Sequence, residues 1–141
     1  MRCLGLDIGD KRIGVALSDP DEIIASPLTT ITRNGEEKDS GAILDLVNEH
    51  KVGVIIVGLP YSLNGSIGSQ AAKVMDFIDH LSQNTDIIIE TRDERLSTVA
   101  ADRLLREAGK KKDKVRLQRD AAAAAFILQG YLDSRKFYDY D

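Results

Sequence analysis

An α/β layer sandwich built on one mixed sheet is the fold class this sequence predicts, and three observations predict it. The chain opens with strand-like runs in succession: "RCLGLDI" and "IGVALS" about the short turn "GDKR", then "LTTIT" beyond Pro27. Two continuous β-branched runs follow, "VGVIIVG" and "DIIIE", of the kind that marks strands buried on both faces. Helical patterns separate and follow these runs. The resulting order, β-β-β-α-β-α-β-α-α, gives a five-stranded sheet: three strands able to pair antiparallel, then strands alternating with helices.

Each element has its own warrant. Residues 2–8 and 13–18 are apolar runs joined by a turn-like tetrapeptide, the pattern of a hairpin. The third strand, residues 28–32, is weaker. "NGEEKDSG" is polar and reads as a loop. Residues 42–50 place Ile43, Leu44 and Val47 at helical spacing. "LPYSLNGSIGS" is rich in Pro, Asn, Gly and Ser and reads as a loop leading into a helix over 69–82. Ala71, Val74, Met75 and Ile78 share one face of that helix. "STVAADRLLREAG" predicts a helix capped by Ser97 or Thr98 and stopped at Gly109. The last helix is expected from about Arg116 to Asp133, with residues 134–141 as a flexible tail. A chain of 141 residues without repeats or linkers predicts a single domain over 1–141.

Composition narrows the classes of function. One cysteine, Cys3, excludes an intramolecular disulfide and suits a reducing compartment. Its place in the first apolar run reads as core packing rather than as a reactive thiol. There is no secretory leader pattern and no run of eighteen apolar residues, so a cytoplasmic location away from membranes is the expectation. The net charge is −4, yet Arg92 to Arg119 carries ten Lys or Arg against five Asp or Glu. That segment is +5 and leaves −9 for the rest. Such asymmetry suits a basic face for nucleic acid; a solvated helical surface accounts for the same charges.

The informative residues are acids. Asp7 lies inside the first strand, Asp93 and Glu94 follow "DIIIETR", and Asp120 opens "DAAAAAFIL". A buried carboxylate without a partner neutralises or destabilises the fold. A divalent cation solves that problem, and oxygen ligands of this kind suit Mg²⁺ or Mn²⁺. The two histidines, His50 and His80, sit in separate helical segments, which argues against zinc. Each acid also has a plain structural explanation. Asp7 could pair with Arg95, "DER" could be a surface turn, and an acid early in a helix is favoured by the dipole. However, Ala123, Ala124, Ile127 and Tyr131 put Asp120 on the buried stripe of its helix, and five successive alanines let that helix approach the sheet closely.

Taken together, "LGLDIGDKRIGVALSD", "IIVGLP", "DERLST" and "DAAAAAFILQGYLD" resemble, in order and spacing, the YqgF/RuvX family of pre-16S ribosomal RNA nucleases, first described as Holliday junction resolvases. The likeness spans essentially the whole chain. "DERLST" with the Asp-initiated alanine helix is its specific part. The basic run "KKKDKVRLQR" and the tail after Asp133 depart from the family pattern without removing an acid. The resemblance implies a ribonuclease H-like fold and a hydrolytic nuclease that works through clustered acids and, as cofactor, Mg²⁺ or Mn²⁺. Asp7, Glu94 and Asp120 are the implied catalytic acids and metal ligands, with Asp93 the alternate to Glu94. Phosphodiester hydrolysis needs an activated water and a stabilised leaving oxygen. Bound divalent ions would supply both, and the resemblance implies that Asp7 would be their shared ligand.

Lys11, Arg12 and Arg95 are candidate phosphate contacts, although exposed turn residues are more readily explained by solvation. Gly65 and Ser66 lie in the loop before a helix N-terminus, which suits a phosphate oxygen or a plain capped turn. Partners implied are precursor ribosomal RNA or branched DNA and, with the former, ribosomal particles. Two other readings stand beside this one. A non-catalytic nucleic-acid or ribosome-assembly module would keep the fold without cutting. An actin-like ATPase would share the Asp-x-Gly hairpin but needs a second such domain, which this length does not hold.

Overall fold

The computed structural model describes residues 1–60, 68–93 and 112–138, with the side chains of 112–118 and 136–138 left aside. The helix expected over 97–109 lies outside the described residues, as do Gly65, Ser66, Glu94 and Arg95.

Five strands form one sheet: β1 (Arg2–Ile8), β2 (Arg12–Ser18), β3 (Ala25–Thr32), β4 (Val52–Leu59) and β5 (Ile88–Asp93). Their spatial order is β3-β2-β1-β4-β5. The first three pair antiparallel, whereas β4 runs parallel to β1 and β5 parallel to β4. The sheet is therefore mixed, as the sequence predicts, and β1 lies at its centre. Helices α1 (Glu36–His50) and α2 (Ser69–Ser82) cover one face, and α3 (Lys112–Tyr138) covers the other.

Strand alternation divides the core accordingly. Leu4, Leu6 and Ile8 of β1 join Ile43, Val47, Val74 and Phe77 beneath α1 and α2. Cys3 instead packs with Ala16, Ile56, Ala124, Ile127, Leu128 and Leu132 beneath α3. Cys3 is fully buried, and its S–H donates to Glu22 Oε1 at 3.1 Å, as befits a core residue.

Four features differ from the sequence expectation. First, β3 begins at Ala25 and runs through Pro27. Proline is tolerated there because β3 is an edge strand and the pairing register shifts between Val15 and Ala16. Second, α1 takes in most of "NGEEKDSG", which reads as a loop by composition. Glu36, Glu37 and Asp39 occupy its first turn, where the helix dipole favours acids. Third, β5 is not a buried central strand: it closes the sheet edge, and Ile88 is 63% exposed. Fourth, α3 spans 27 residues from Lys112 to Tyr138, so the basic run lengthens its start and most of the expected tail is helical. Among the described residues no helix is long and apolar enough to cross a membrane.

Candidate active site

The carboxyl ends of β1, β4 and β5 lie along one edge of the sheet, because these three strands are parallel neighbours. That is where open α/β sheets bind ligands. Asp7 is the penultimate residue of β1 and is half-buried. Its antiparallel partner on β2 is Gly14. Directly opposed residues point to the same face and stand about 5 Å apart at Cβ.

Gly14 is where α3 touches the sheet. A Cβ built on Gly14 would land on the backbone carbonyl of Asp120. A Cβ on Gly5 would stand 2.8 Å from Leu128 Cβ and 2.9 Å from the Ala124 carbonyl. The two glycines thus let α3 lie against the sheet, and Gly14 sets Asp120 over the strand pair that carries Asp7. Two of the sequence-predicted acids are therefore brought together on the α3 face, although they are remote in the chain. Asp120 lies just over two turns into α3, deeper than a first-turn acid.

Alternation separates Asp93 from this pair. Arg92 faces α3, since a Cβ on Gly130 would meet its guanidinium at 2.9 Å. Asp93 pairs in register with Leu59, whose buried side chain belongs to the core beneath α1 and α2. Asp93 thus points away from the face that holds Asp7 and Asp120. It is the last residue of β5, and the next position, Glu94, lies outside the described residues. Among the described residues no group of three metal-ligating side chains assembles.

The basic candidates divide as well. Lys11 is exposed at the hairpin turn, which is closed by the Gly9 N–H donating to the Arg12 carbonyl at 2.9 Å. Arg12 is not a solvated tip residue. It opens β2 on the Gly14 face, and its Nε donates to Asp120 Oδ2 at 2.6 Å. Arg119 Nε approaches the other oxygen, Oδ1, at 4.0 Å. The α2 N-terminus lies at the same end of the molecule: Lys73 Nζ, in its early turns, is 3.6 Å from Asp10 Oδ1 of the hairpin turn.

Three positioning residues have no counterpart in the sequence reading. Arg33 holds the hairpin: its backbone N–H donates to the Lys11 carbonyl at 2.9 Å and its Nη1 to the Gly9 carbonyl at 3.0 Å. Its Nε donates to Asp39 Oδ2 at 3.1 Å, and its guanidinium lies over the Phe77 ring, 5.1 Å from the centroid. Asp39 is 1% exposed and also accepts from the Asn34 N–H at 2.9 Å. Arg33 and Asp39 are hidden in sequence by their polar surroundings. Gly14 does carry a signal, as a glycine inside an apolar strand run marks a close approach.

A family model described as "RuvX: Holliday junction resolvase" matches residues 1–134. The chain belongs to the RuvX family. A protein named "Putative pre-16S rRNA nuclease" from Thermoanaerobacter pseudethanolicus is 51% identical over 96% of this chain and 99% of its own length. Its namesake from Desulforamulus reducens is 48% identical over 95% of this chain and 98% of its own. Among solved structures, Thermus thermophilus RuvC in complex with a Holliday junction substrate superposes with a TM-score of 0.61 at 12% identity, covering 96% of each chain. That likeness establishes a ribonuclease H-like fold.

Asp7 and Asp120 offer hard oxygen donors from one face at the edge where ligands bind, which fits Mg²⁺ or Mn²⁺ and not a soft ion. Arg12 already occupies one of those oxygens, so the fit is one of chemistry with a competitor in place.

Proposed function

We propose that this RuvX-family chain is a metal-dependent nuclease that hydrolyses phosphodiester bonds of structured nucleic acid, with precursor 16S ribosomal RNA as its substrate. The observation that carries this reading is the meeting of Asp7 and Asp120 on the α3 face through Gly14. The names of the relatives at 51% and 48% identity point the same way. Glu94 completes the acid set in this reading. Asp93 points to the opposite face, which leaves Glu94 as the acid of that pair in this reading.

A bound divalent cation would supply a more acidic water and neutralise charge on the leaving oxygen. Asp7 and Asp120, with Glu94, would hold it. Lys11 and Arg12 at the hairpin and Arg95 after the acids would position the phosphate backbone without reading sequence. Gly65 and Ser66, ahead of α2, would add backbone contacts to phosphate. Selection would then rest on the shape of the nucleic acid. Precursor RNA within ribosomal particles and a cytoplasmic location accompany this reading.

The test is cleavage of precursor 16S RNA and of a four-way DNA junction, with Mg²⁺ or Mn²⁺, by the wild type and by Asp7→Asn. The expected outcome is metal-dependent cutting of the RNA that is lost in the variant. Preferential cutting of the junction would replace RNA by branched DNA, the substrate class in the family's own description. Binding of either nucleic acid without cutting under any metal would assign a non-catalytic module. Equal cutting by Asp7→Asn would remove the proposed site.

A further inference from the structure

We propose that Arg12 is a built-in counter-ion for Asp120 that a divalent cation must displace, and that the released guanidinium then takes the substrate phosphate. Metal and phosphodiester would therefore bind cooperatively. The inference rests on Asp7 and Asp120 being the cation ligands.

The contact is specific and made by the fold. Arg12 and Asp120 are 108 residues apart in sequence, yet their charged atoms stand 2.6 Å apart with side chains only 24% and 15% exposed. Arg12, Gly14 and Ala16 alternate onto the α3 face, so the register that seats Asp120 over Gly14 also aims Arg12 at its carboxylate. With Arg119 Nε 4.0 Å from the second oxygen, both oxygens of Asp120 face a guanidinium. A dication ligated there would meet a like charge at close range in a partly buried setting, where screening is weak. The guanidinium has a way out: Arg12 borders the exposed hairpin turn, beside Lys11.

The exchange keeps charges paired. Without metal, Arg12 neutralises the negative charge of Asp120. With metal, the acids are satisfied by the ion, and the planar fork of Arg12 is free for a phosphate, which it matches in charge and geometry. Linkage then requires that phosphodiester tighten metal binding by the same factor as metal tightens phosphodiester binding. Neither ligand alone would fully assemble the site.

The test is a Mn²⁺ titration of the full chain, read by electron paramagnetic resonance of free Mn²⁺, with and without dimethyl phosphate as a minimal phosphodiester. Arg12→Gln should bind Mn²⁺ about tenfold more tightly than the wild type when no phosphodiester is present. Dimethyl phosphate should tighten Mn²⁺ binding to the wild type and leave Arg12→Gln unchanged. Arg12→Lys, which keeps the charge and the competition, should stay close to wild type in Mn²⁺ affinity. Equal or weaker Mn²⁺ binding by Arg12→Gln overturns the proposal. An Asp120→Asn variant separates the two levels. If it loses Mn²⁺ while Arg12→Gln matches wild type, only the counter-ion role fails. If it keeps full Mn²⁺ affinity, the ligand assignment fails and this inference falls with it.

Discussion

At the scale of single residues, two glycines differ in what an added methyl group would meet. Gly14 has no room for a Cβ because the Asp120 carbonyl occupies that place. Gly14→Ala must push α3 off β2, and overpacking of this kind costs about 3 kcal/mol. Chemical denaturation should show that loss, and Mn²⁺ affinity should fall with it, since Asp120 moves relative to Asp7. Gly41 sits inside α1 with nothing within 4 Å of its built Cβ. Gly41→Ala should instead raise stability by about 1 kcal/mol, the intrinsic helix preference of alanine over glycine. Cys3 offers a test by pH. Burial, reinforced by the hydrogen bond to Glu22 and that group's charge, pushes its thiol up to about 12. The folded state therefore holds the Cys3 proton through a range in which the unfolded chain, with an ordinary thiol near 8.5, releases it. The stabilisation is fully present below the unfolded value and is lost as pH rises towards the folded one. The stability difference between wild type and Cys3→Ala should accordingly shrink from pH 8 to pH 11, measured by urea unfolding across that range.

At the scale of elements, α1 shows what patterning conceals. Its second half displays Ile43, Leu44 and Val47 at helical spacing and is legible in the sequence. Its first turns, "EEKDSG", bury little apolar surface and carry Gly41, so composition assigns them to a loop. Asp39 explains why they are helical: it is fully buried and receives both Arg33 Nε and the Asn34 N–H, short-range side-chain contacts that composition does not display. Asp39→Ala would strand the Arg33 guanidinium against the Phe77 ring without its carboxylate. Removing one member of such a buried pair costs about 3 kcal/mol. Thermal unfolding should report that loss. A stability unchanged from wild type would show that Phe77 and the Gly9 and Lys11 carbonyls hold Arg33 unaided. β5 misleads in the other direction. "DIIIE" has the composition of a central strand, but topology puts it at the edge and leaves Ile88 exposed, which a continuous β-branched run cannot signal.

At the scale of the whole molecule, the order of the described elements and the mixed pairing of the sheet follow from what the sequence displays. What does not follow is three-dimensional in origin. The face on which Asp93 lies depends on where β5 starts its alternation, and the Arg12–Asp120 contact depends on the β1–β2 register meeting α3 at Gly14. Asp7 and Asp120 sit on regular elements, β1 and α3, and the helix that carries Asp120 is anchored well beyond the site. Leu128, fully buried and packed against Gly5, lies eight residues or about 12 Å further along α3. Leu128→Ala leaves a cavity in that anchor without touching the Gly14 contact, and such truncations cost about 3 kcal/mol. If α3 docks as one body, set in place by the Gly14 contact, the variant should unfold at lower denaturant while its folded fraction binds Mn²⁺ as wild type does. Gly14→Ala, of similar cost, should lose both. Equal Mn²⁺ weakening in the two variants would mean that the site is held by the overall stability of the α3 layer, not by the single contact over Gly14.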